Sequence, residues 1–241
     1  MKNYLYKDLY ELEDKHWWHI SKRRIVSEII DKYKKGNLSI LDIGCGTGRN
    51  IENLKAFGKV NGIDSSKTAL SFCKKRGIKN VSFGKAEKIP YKSRSFEIIT
   101  LLDVLEHTDD EKTVAGCKRV LKPKGILIIT VPAYTWLWSN WDEVLHHRRR
   151  YTSKKLHILL TKHEFNILKM SYMYSFLIVP AFITRRIKSF FAKDYYISDF
   201  KISFSFLNYI LEKMAFIEFL IIKKINLPFG TSIIIEAQKN G

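Results

Sequence analysis

This chain has little proline and little cysteine, and it lacks a long apolar run. Among its 241 residues there are five prolines and three cysteines. The cysteines (Cys45, Cys73 and Cys117) are odd in number and have no paired spacing, so no disulfide framework is expected. The first residues hold no apolar stretch of signal-peptide length, and no apolar run has the length of a membrane span. These absences favour a globular protein of the reducing cytoplasm.

Positive charge is in clear excess. The chain has 42 Lys and Arg against 24 Asp and Glu, a formal net charge of +18. A basic surface raises encounter rates with polyanions, which leaves nucleic acid, an anionic membrane and an acidic substrate open. The lysines of the N-terminal half are scattered rather than clustered, so we expect most of them to be solvated. Charge alone identifies no partner.

Short β-prone runs alternate with helical segments along the first half of the chain. The runs at 96–102 and 126–131 are almost continuously apolar, as is typical of strands buried on both faces. This alternation predicts a parallel sheet with helices on both faces. Further strands are predicted at 164–170 and 232–237. About sixty residues separate these two, more than a usual connection holds, so they predict a helical insertion between the last two strands.

A glycine loop follows the first predicted strand at residues 42–48. Glycines permit a tight turn and let the backbone approach a nucleotide-like ligand closely. Asp64, at the end of the second predicted strand, can accept hydrogen bonds from both hydroxyls of a ribose. A dinucleotide loop would have its third glycine at position 49, where this chain has Arg49. The third glycine is instead Gly48, which favours a cofactor without a pyrophosphate.

Successive motifs over residues 38–132 resemble those of the class I S-adenosylmethionine-dependent methyltransferase family. They lie at 41–48, 64–66, 84–90, 96–97, 103–107 and 119–125. The resemblance implies a Rossmann-like α/β fold with a seven-stranded, mostly parallel sheet, and S-adenosylmethionine as cofactor. It implies cofactor contacts by Asp42, Gly44, Cys45, Gly46, Gly48, Asp64, Ser65, Ala86, Glu87 and Asp103. The family usually has an acid where Lys85 stands, so we expect the Ala86 backbone to contact the adenine.

The chain also resembles one bacterial and archaeal subgroup of this family, whose substrate is not agreed. The similarity lies in His16-Trp-Trp18, in the segment 131–151 and in Pro228-Phe-Gly-Thr-Ser232. By analogy, Trp17, Trp18 and Arg24 form a lid over the cofactor. We therefore expect one domain with five segments: an N-terminal lid or helix (1–37), a cofactor-binding core (38–132), a substrate loop with strand six (133–170), the helical insertion (171–230) and the last strand (231–237).

A group that removes a proton from the acceptor is expected at the carboxyl end of strand four or five, where ligands bind in such sheets. His107 directly follows strand four, and the ordinary pKa of histidine suits proton transfer. A packing role for His107 is equally open. Asp103, Glu106 and His107 also resemble the acid-x-x-Glu-His cluster of ubiquinone-type O-methyltransferases, which can hold a divalent metal. Because Asp103 is shorter than the family's Glu, we expect no metal here.

The segment 134–151, after strand five, concentrates tryptophan, histidine and arginine. Arginines in such a loop suit a carboxylate or a phosphate. A solvated basic loop with Trp136 and Trp138 packed beneath it is the alternative. We predict that His147 and Tyr151 join His107 as catalytic residues. The predicted substrate-binding residues are Trp138, Asp142, Arg149 and Arg150.

These features predict methyl transfer from S-adenosylmethionine to a small-molecule, lipid- or glycan-linked acceptor, on oxygen. An RNA methyltransferase and a non-catalytic cofactor-binding scaffold are the alternatives. DNA methylation is disfavoured, since the chain has no Pro-Pro motif and no cysteine that follows proline. The insertion carries apolar helices flanked by basic residues. We expect them to pack on each other and on the sheet, with peripheral contact to the inner face of the membrane as the alternative.

Overall fold

A computed structural model describes residues 4–191 and 205–241, and its centre is a seven-stranded sheet. The strands are β1 (Leu38–Ile43), β2 (Gly58–Asp64), β3 (Val81–Phe83), β4 (Phe96–Leu102), β5 (Leu121–Pro132), β6 (Phe165–Met173) and β7 (Ser232–Lys239). Their order is β3-β2-β1-β4-β5-β7-β6. The first five run parallel, whereas β7 is antiparallel to both β5 and β6. The predicted seven-stranded, mostly parallel α/β fold is confirmed.

The helices cover both faces of the sheet. They are α1 (Tyr4–Leu12), α2 (Trp17–Asp31), α3 (Arg49–Leu54), α4 (Lys67–Lys75), α5 (Asp110–Val120), α6 (Asn140–Val144), α7 (Ser153–Lys162), α8 (Ile178–Phe191) and α9 (Ser205–Lys224). Side-chain caps fix several starts: Ser66 accepts from the Ala69 N–H group, and Asp109 accepts from that of Lys112.

The core has two layers because successive strand residues point to opposite faces. Along β5, Leu127 and Ile129 join the layer under α5 and α7, while Ile126 and Ile128 join the layer under α2, α3 and α9. This alternation explains why the run at 126–131 is apolar throughout. Because β1, β2 and β4 run parallel, their carboxyl ends meet at one edge of the sheet, where the glycine loop also lies.

The terminal parts of the fold differ from the sequence-based expectation in detail. Helix α1 was not predicted, and its buried Leu5 shows that tertiary packing rather than helix propensity holds this nine-residue helix. The described part of the insertion contains α8 and α9, and α9 packs along α2. Residues 192–204 of the predicted insertion and residues 1–3 of the predicted N-terminal segment lie outside the described residues.

Candidate functional site

The glycine loop after β1 adopts backbone angles that favour glycine. Gly44, Gly46 and Gly48 have φ values of +70°, +55° and +93°. A side chain at Gly44 would also clash with Val104, and one at Gly48 would come within 2.5 Å of Ile78. At Gly46 the nearest group is the Leu9 side chain, 3.5 Å away. Gly44 and Gly48 therefore let the loop fold tightly, while Gly46 is in van der Waals contact with Leu9.

Asp64 lies against this loop at the end of β2. One carboxylate oxygen accepts from the Gly46 N–H group at 2.9 Å, and the other accepts from the Ser66 N–H group at 2.8 Å. Burial raises the pKa of Asp64 above its ordinary value, although these two hydrogen bonds oppose the rise. The structure thus brings the predicted acid and the predicted loop together. Their contact with a cofactor stays a prediction.

Asp42 and Cys45 are the buried residues of the loop segment. The Asp42 carboxylate is buried and accepts from the Thr100 hydroxyl at 2.5 Å. Burial raises the pKa of Asp42 to about 6. Cys45 is buried, and the thiol of Cys73 donates to the Gly46 carbonyl at 3.2 Å. Both predicted contact residues are therefore buried within the loop segment, and cofactor contact by either stays a prediction.

The other predicted cofactor contacts lie around the same edge of the sheet. Ala86 is buried, and a Glu87 carboxylate oxygen accepts from the Asp109 N–H group at 3.2 Å. Ser65 and Lys85 are exposed. An exposed Lys85 is consistent with the expectation that backbone, rather than this side chain, contacts an adenine.

The N-terminal helices cover the loop differently from the predicted lid. Leu9 of α1 lies beside Gly46, and Glu13 accepts from the Thr47 hydroxyl and pairs with Arg76 at 2.6 Å. Helix α1 is therefore the element that touches the loop.

Two of the three predicted lid residues face the insertion. Trp17 is buried, with its ring 5.4 Å from that of Tyr174. The Arg24 guanidinium lies 3.6 Å from the ring centroid of Phe216. Trp17 and Arg24 thus help to fasten α2 to the insertion. A lid role stays a prediction for Trp18, whose ring lies 3.2 Å below the Lys22 ammonium.

Lys22 is a site residue that the sequence did not reveal. It is buried on the inner face of α2 and forms an ion pair with Asp103, which follows β4 with a φ of +54°. Burial lowers the pKa of Lys22, while Asp103 opposes the change. A lysine at an inward position of α2, one turn before Val26, was the available signal. Asp103 is therefore committed to an ion pair.

Glu106, His107 and His147 form a second cluster just beyond Asp103. One carboxylate or imidazole atom from each lies within 4.8 Å of the others. The rings of His107 and His147 meet edge to face at 4.7 Å. Burial, reinforced by His147, lowers the pKa of His107 to about 4, and burial raises that of Glu106. Two of the three predicted catalytic residues are thus brought together.

Asp142 organises the loop that carries His147. Its carboxylate accepts from His147 Nδ1 at 2.8 Å and from Arg150 Nε and Nη2 at 2.7 and 2.9 Å. Burial alone would raise the pKa of Asp142, but these bonds hold it well below its ordinary value. Arg150 is buried and also donates to the Ala133 carbonyl at 3.1 Å. Asp142 and Arg150 thus support the loop itself, and substrate contact by either stays a prediction.

Tyr151 and Arg149 are fastened to α5. The Tyr151 hydroxyl donates to Asp110 at 3.0 Å, and Arg149 pairs with the same carboxylate at 2.6 Å. Tyr151 is buried, whereas Arg149 and Trp138 are partly exposed. The Tyr151 hydroxyl is therefore hydrogen-bonded to α5 rather than to His107 or His147. Its catalytic role, and substrate contact by Arg149 and Trp138, stay predictions.

The sequence of this chain is similar to a known family and to several curated proteins. Residues 41–129 match the family described as a methyltransferase domain. The chain is 36% identical over 127 residues to an uncharacterised protein of Methanocaldococcus jannaschii, a match that covers 52% of this chain and 49% of that one. It is 31% identical over 107 residues to the ubiquinone biosynthesis O-methyltransferase of Bartonella tribocorum, covering 42% and 43% respectively. The chain thus spans about half the length of the curated relatives it matches.

A solved structure shows the same fold over nearly the whole chain. It is an S-adenosylmethionine-dependent methyltransferase of Thermotoga maritima, described as a possible histamine N-methyltransferase. The TM-score is 0.62 with 18% sequence identity, and the match covers 98% of this chain and 95% of that one. At this identity the likeness concerns the fold alone.

Proposed function

Because this chain carries the domain of the class I S-adenosylmethionine-dependent methyltransferase family, we propose that it transfers a methyl group from S-adenosylmethionine to an oxygen of a small-molecule, lipid- or glycan-linked acceptor. The observation that carries the proposal is the hydrogen bond between Asp64 and Gly46, which joins the acid of β2 to the glycine loop. At the same edge of the sheet, His107 follows β4, and its ring meets that of His147 from the loop after β5. Cofactor and acceptor sites would then be neighbours.

The residues at the loop fit the cofactor. Three glycines with positive φ keep this part of the loop free of side chains, so that its backbone can lie close to the ligand. The Asp64 carboxylate can accept from ribose hydroxyls, because an ionised carboxylate accepts several hydrogen bonds. When bound, S-adenosylmethionine supplies a methyl group already activated by its sulfonium. The chain's own tasks are to align the acceptor, exclude water and handle the acceptor's proton.

The histidine pair is placed for this last task. His107 and His147 come from two different loops, and each ring is oriented through its Nδ1 atom. We assign the acceptor's hydroxyl to the space beside them, since ligands of such sheets bind at the carboxyl ends of the strands. Tyr151 and Arg149, both on Asp110, would act by positioning the loop.

Methyl transfer from labelled S-adenosylmethionine to a fractionated lysate tests the proposal. Label in the lipid, glycan or small-molecule fraction supports it, with Asp64→Ala as the variant expected to lose the signal. Label in RNA would support the RNA methyltransferase, and persistent absence of label would support a cofactor-binding scaffold.

We further propose that the insertion makes peripheral contact with an anionic membrane. Within residues 4–191 and 205–241, no helix has the length and apolar character needed to cross a membrane. Yet Phe206 and Ile217 of α9 are 74% and 59% exposed, and Lys213 and Lys224 are exposed on the same helix. Apolar and basic side chains together suit an anionic leaflet, and the net charge of +18 points the same way.

Vesicle sedimentation distinguishes this contact from non-specific adsorption of the protein. The full chain should pellet with phosphatidylglycerol-containing vesicles at low salt, and a double variant with Phe206→Ser and Ile217→Ser should remain in solution. Ile158→Ser is the matched control, because Ile158 is 57% exposed on α7. Equal pelleting of the double variant and the control would contradict the proposal.

A further inference from the structure

Glu106 is a buried acid whose charge is not satisfied by hydrogen bonds. Neither of its carboxylate oxygens has a hydrogen-bond partner among the residues that the structure describes. The closest ionisable partner is Nε2 of His147, 4.0 Å from one of these oxygens. Leaving a buried carboxylate unpaired is costly, so native proteins pair such groups or use them to bind metals. The position of Glu106 therefore points to a ligand.

The nearby cationic side chains do not hydrogen-bond to Glu106, because each is hydrogen-bonded to another group. Lys22 and Arg150 both act electrostatically on Glu106, as does the like charge of Asp103. However, the Lys22 ammonium is hydrogen-bonded to Asp103, and the Arg150 guanidinium is hydrogen-bonded to Asp142 and Ala133. The space between Glu106 and the two imidazoles thus combines a buried carboxyl group with two nitrogen atoms.

The two imidazoles are oriented as metal-binding histidines are. His147 Nδ1 lies 2.8 Å from the Asp142 carboxylate, and His107 Nδ1 lies 3.3 Å from the His146 carbonyl. A carbonyl and an Arg-paired carboxylate can only accept hydrogen bonds, so each Nδ1 carries the hydrogen and each Nε2 keeps a lone pair. Outer carboxylates and carbonyls of this kind orient histidine ligands around a cation.

We propose that Glu106, His107 and His147 bind a divalent transition-metal cation of the Zn²⁺ class. The set of one carboxylate and two imidazoles is a known type of catalytic zinc site, in which a fourth position stays open. Ligand atoms within 4.8 Å of one another would need to close by up to about 1.5 Å to surround a tetrahedral zinc ion. This inference replaces the sequence-based expectation of no metal, and its ligands differ from the resembled cluster, since Asp103 is paired with Lys22 and His147 comes from another loop.

Cation binding has a consequence for chemistry that rests on the proposed methyl transfer. An acceptor oxygen at the open position would lose its proton more readily, since a bound divalent cation lowers the pKa of an oxygen ligand. The two imidazoles would then act on the acceptor through the cation rather than as proton acceptors. Binding of the cation itself does not depend on the methyl transfer.

The test titrates metal-free, full-length protein with ZnCl₂ in competition with a chromophoric chelator, without cofactor or acceptor. We expect one equivalent of Zn²⁺ to bind the wild type. Glu106→Gln and His147→Ala should weaken binding at least about 100-fold, because outer-shell partners alone are worth 10- to 100-fold. His157→Ala, which removes an exposed histidine of α7, should bind as the wild type does.

Two results would overturn the proposal. One is a wild type that binds no stoichiometric Zn²⁺, and the other is a folded His147→Ala protein that binds as tightly as His157→Ala. If the site variants fail to fold, the Co²⁺ form of the wild type decides: its ring-proton signals from His107 and His147 must be paramagnetically shifted, and unshifted signals overturn the proposal. Zinc binding without methyl transfer would contradict only the proposed function.

Discussion

Lys22, on the inner face of α2, forms an ion pair with Asp103, the residue that follows β4. The pair joins the N-terminal segment to the edge of the sheet that carries the glycine loop and the Glu106–His107–His147 cluster. Because the Lys22 side chain is buried and that of Asp103 is partly exposed, the pair is screened less than a surface pair. It therefore couples the position of α2 to the candidate site.

Removing the charge of Lys22 should destabilise the protein. Lys22→Met leaves Asp103 without its partner, and we expect a loss of about 2 kcal/mol in the free energy of unfolding, below the range for fully buried pairs because Asp103 is partly exposed. Lys112→Met is the matched control, since Lys112 forms an exposed pair with Asp109, and exposed pairs contribute little to stability. Urea unfolding of both variants measures the difference, and equal losses would show that the buried pair is not special.

Substitutions at Gly44 and Gly77 allow the cost of backbone strain to be distinguished from the cost of a steric clash. Their φ values are +70° and +74°, but only a side chain at Gly44 meets a neighbour, Val104, whereas nothing lies within 4 Å at Gly77. Gly77→Ala should cost about 1–2 kcal/mol from its left-handed backbone alone. Gly44→Ala should cost more and should also weaken S-adenosylmethionine binding. Thermal unfolding and calorimetry measure both effects, and a Gly44→Ala protein that behaves as Gly77→Ala does would remove the steric argument.

Asp64 should contribute directly to cofactor affinity. Asp64→Asn keeps the shape of the side chain but loses one strong acceptor oxygen, and charge-assisted hydrogen bonds are about twice as strong as neutral ones. We expect S-adenosylmethionine to bind at least about tenfold more weakly, a change of about 1.4 kcal/mol. Asp31→Asn, at an exposed position at the end of α2, should leave affinity unchanged. Unaltered affinity in a folded Asp64→Asn protein would argue against ribose contact by this residue.

Asp42 should make stability depend on pH. Its pKa is raised to about 6 in the folded protein, from an ordinary value of 3.8. Between these values the folded state holds a proton that the unfolded state releases, so this contribution to stability is present at low pH and is lost as the pH rises towards 6. Asn at this position does not titrate. The stability of Asp42→Asn relative to wild type should therefore rise by about 2–3 kcal/mol from pH 4 to pH 7. Unfolding curves without cofactor across this range check it, and a pH-independent difference would contradict the assignment.

Local patterns predicted much of the fold and the glycine-loop part of the candidate site. The apolar runs of β4 and β5 are buried on both faces, and the spacing of the glycines places Gly44 and Gly48 where only a residue without a side chain fits. Asp64 was found in the same way, because the end of a strand and a nearby glycine loop are both visible in a short stretch of sequence.

Features that depend on contacts between residues far apart in the sequence could not be predicted from local patterns. The partnership of Lys22 with Asp103 and the approach of His147 to Glu106 join residues from separate segments. The arginines after β5 illustrate the same limit. Composition suggested anion binding, but Arg150 donates to Asp142 within its own loop. Ion pairs within a loop depend on how the loop folds back on itself, and they cannot be predicted from residue counts.

The place of β7 has a consequence for how the chain is made. This strand lies between β5 and β6, yet it follows both in the chain and is separated from β6 by the whole helical insertion. On the ribosome, where domains form from the N-terminal end onwards, β1 to β5 can assemble while β6 still has no neighbour to pair with. The open edge of β5 must wait several seconds for residues 232–239 to emerge. Unpaired edges of this kind invite aggregation, so nascent chains are expected to need protection until the final strand closes the sheet.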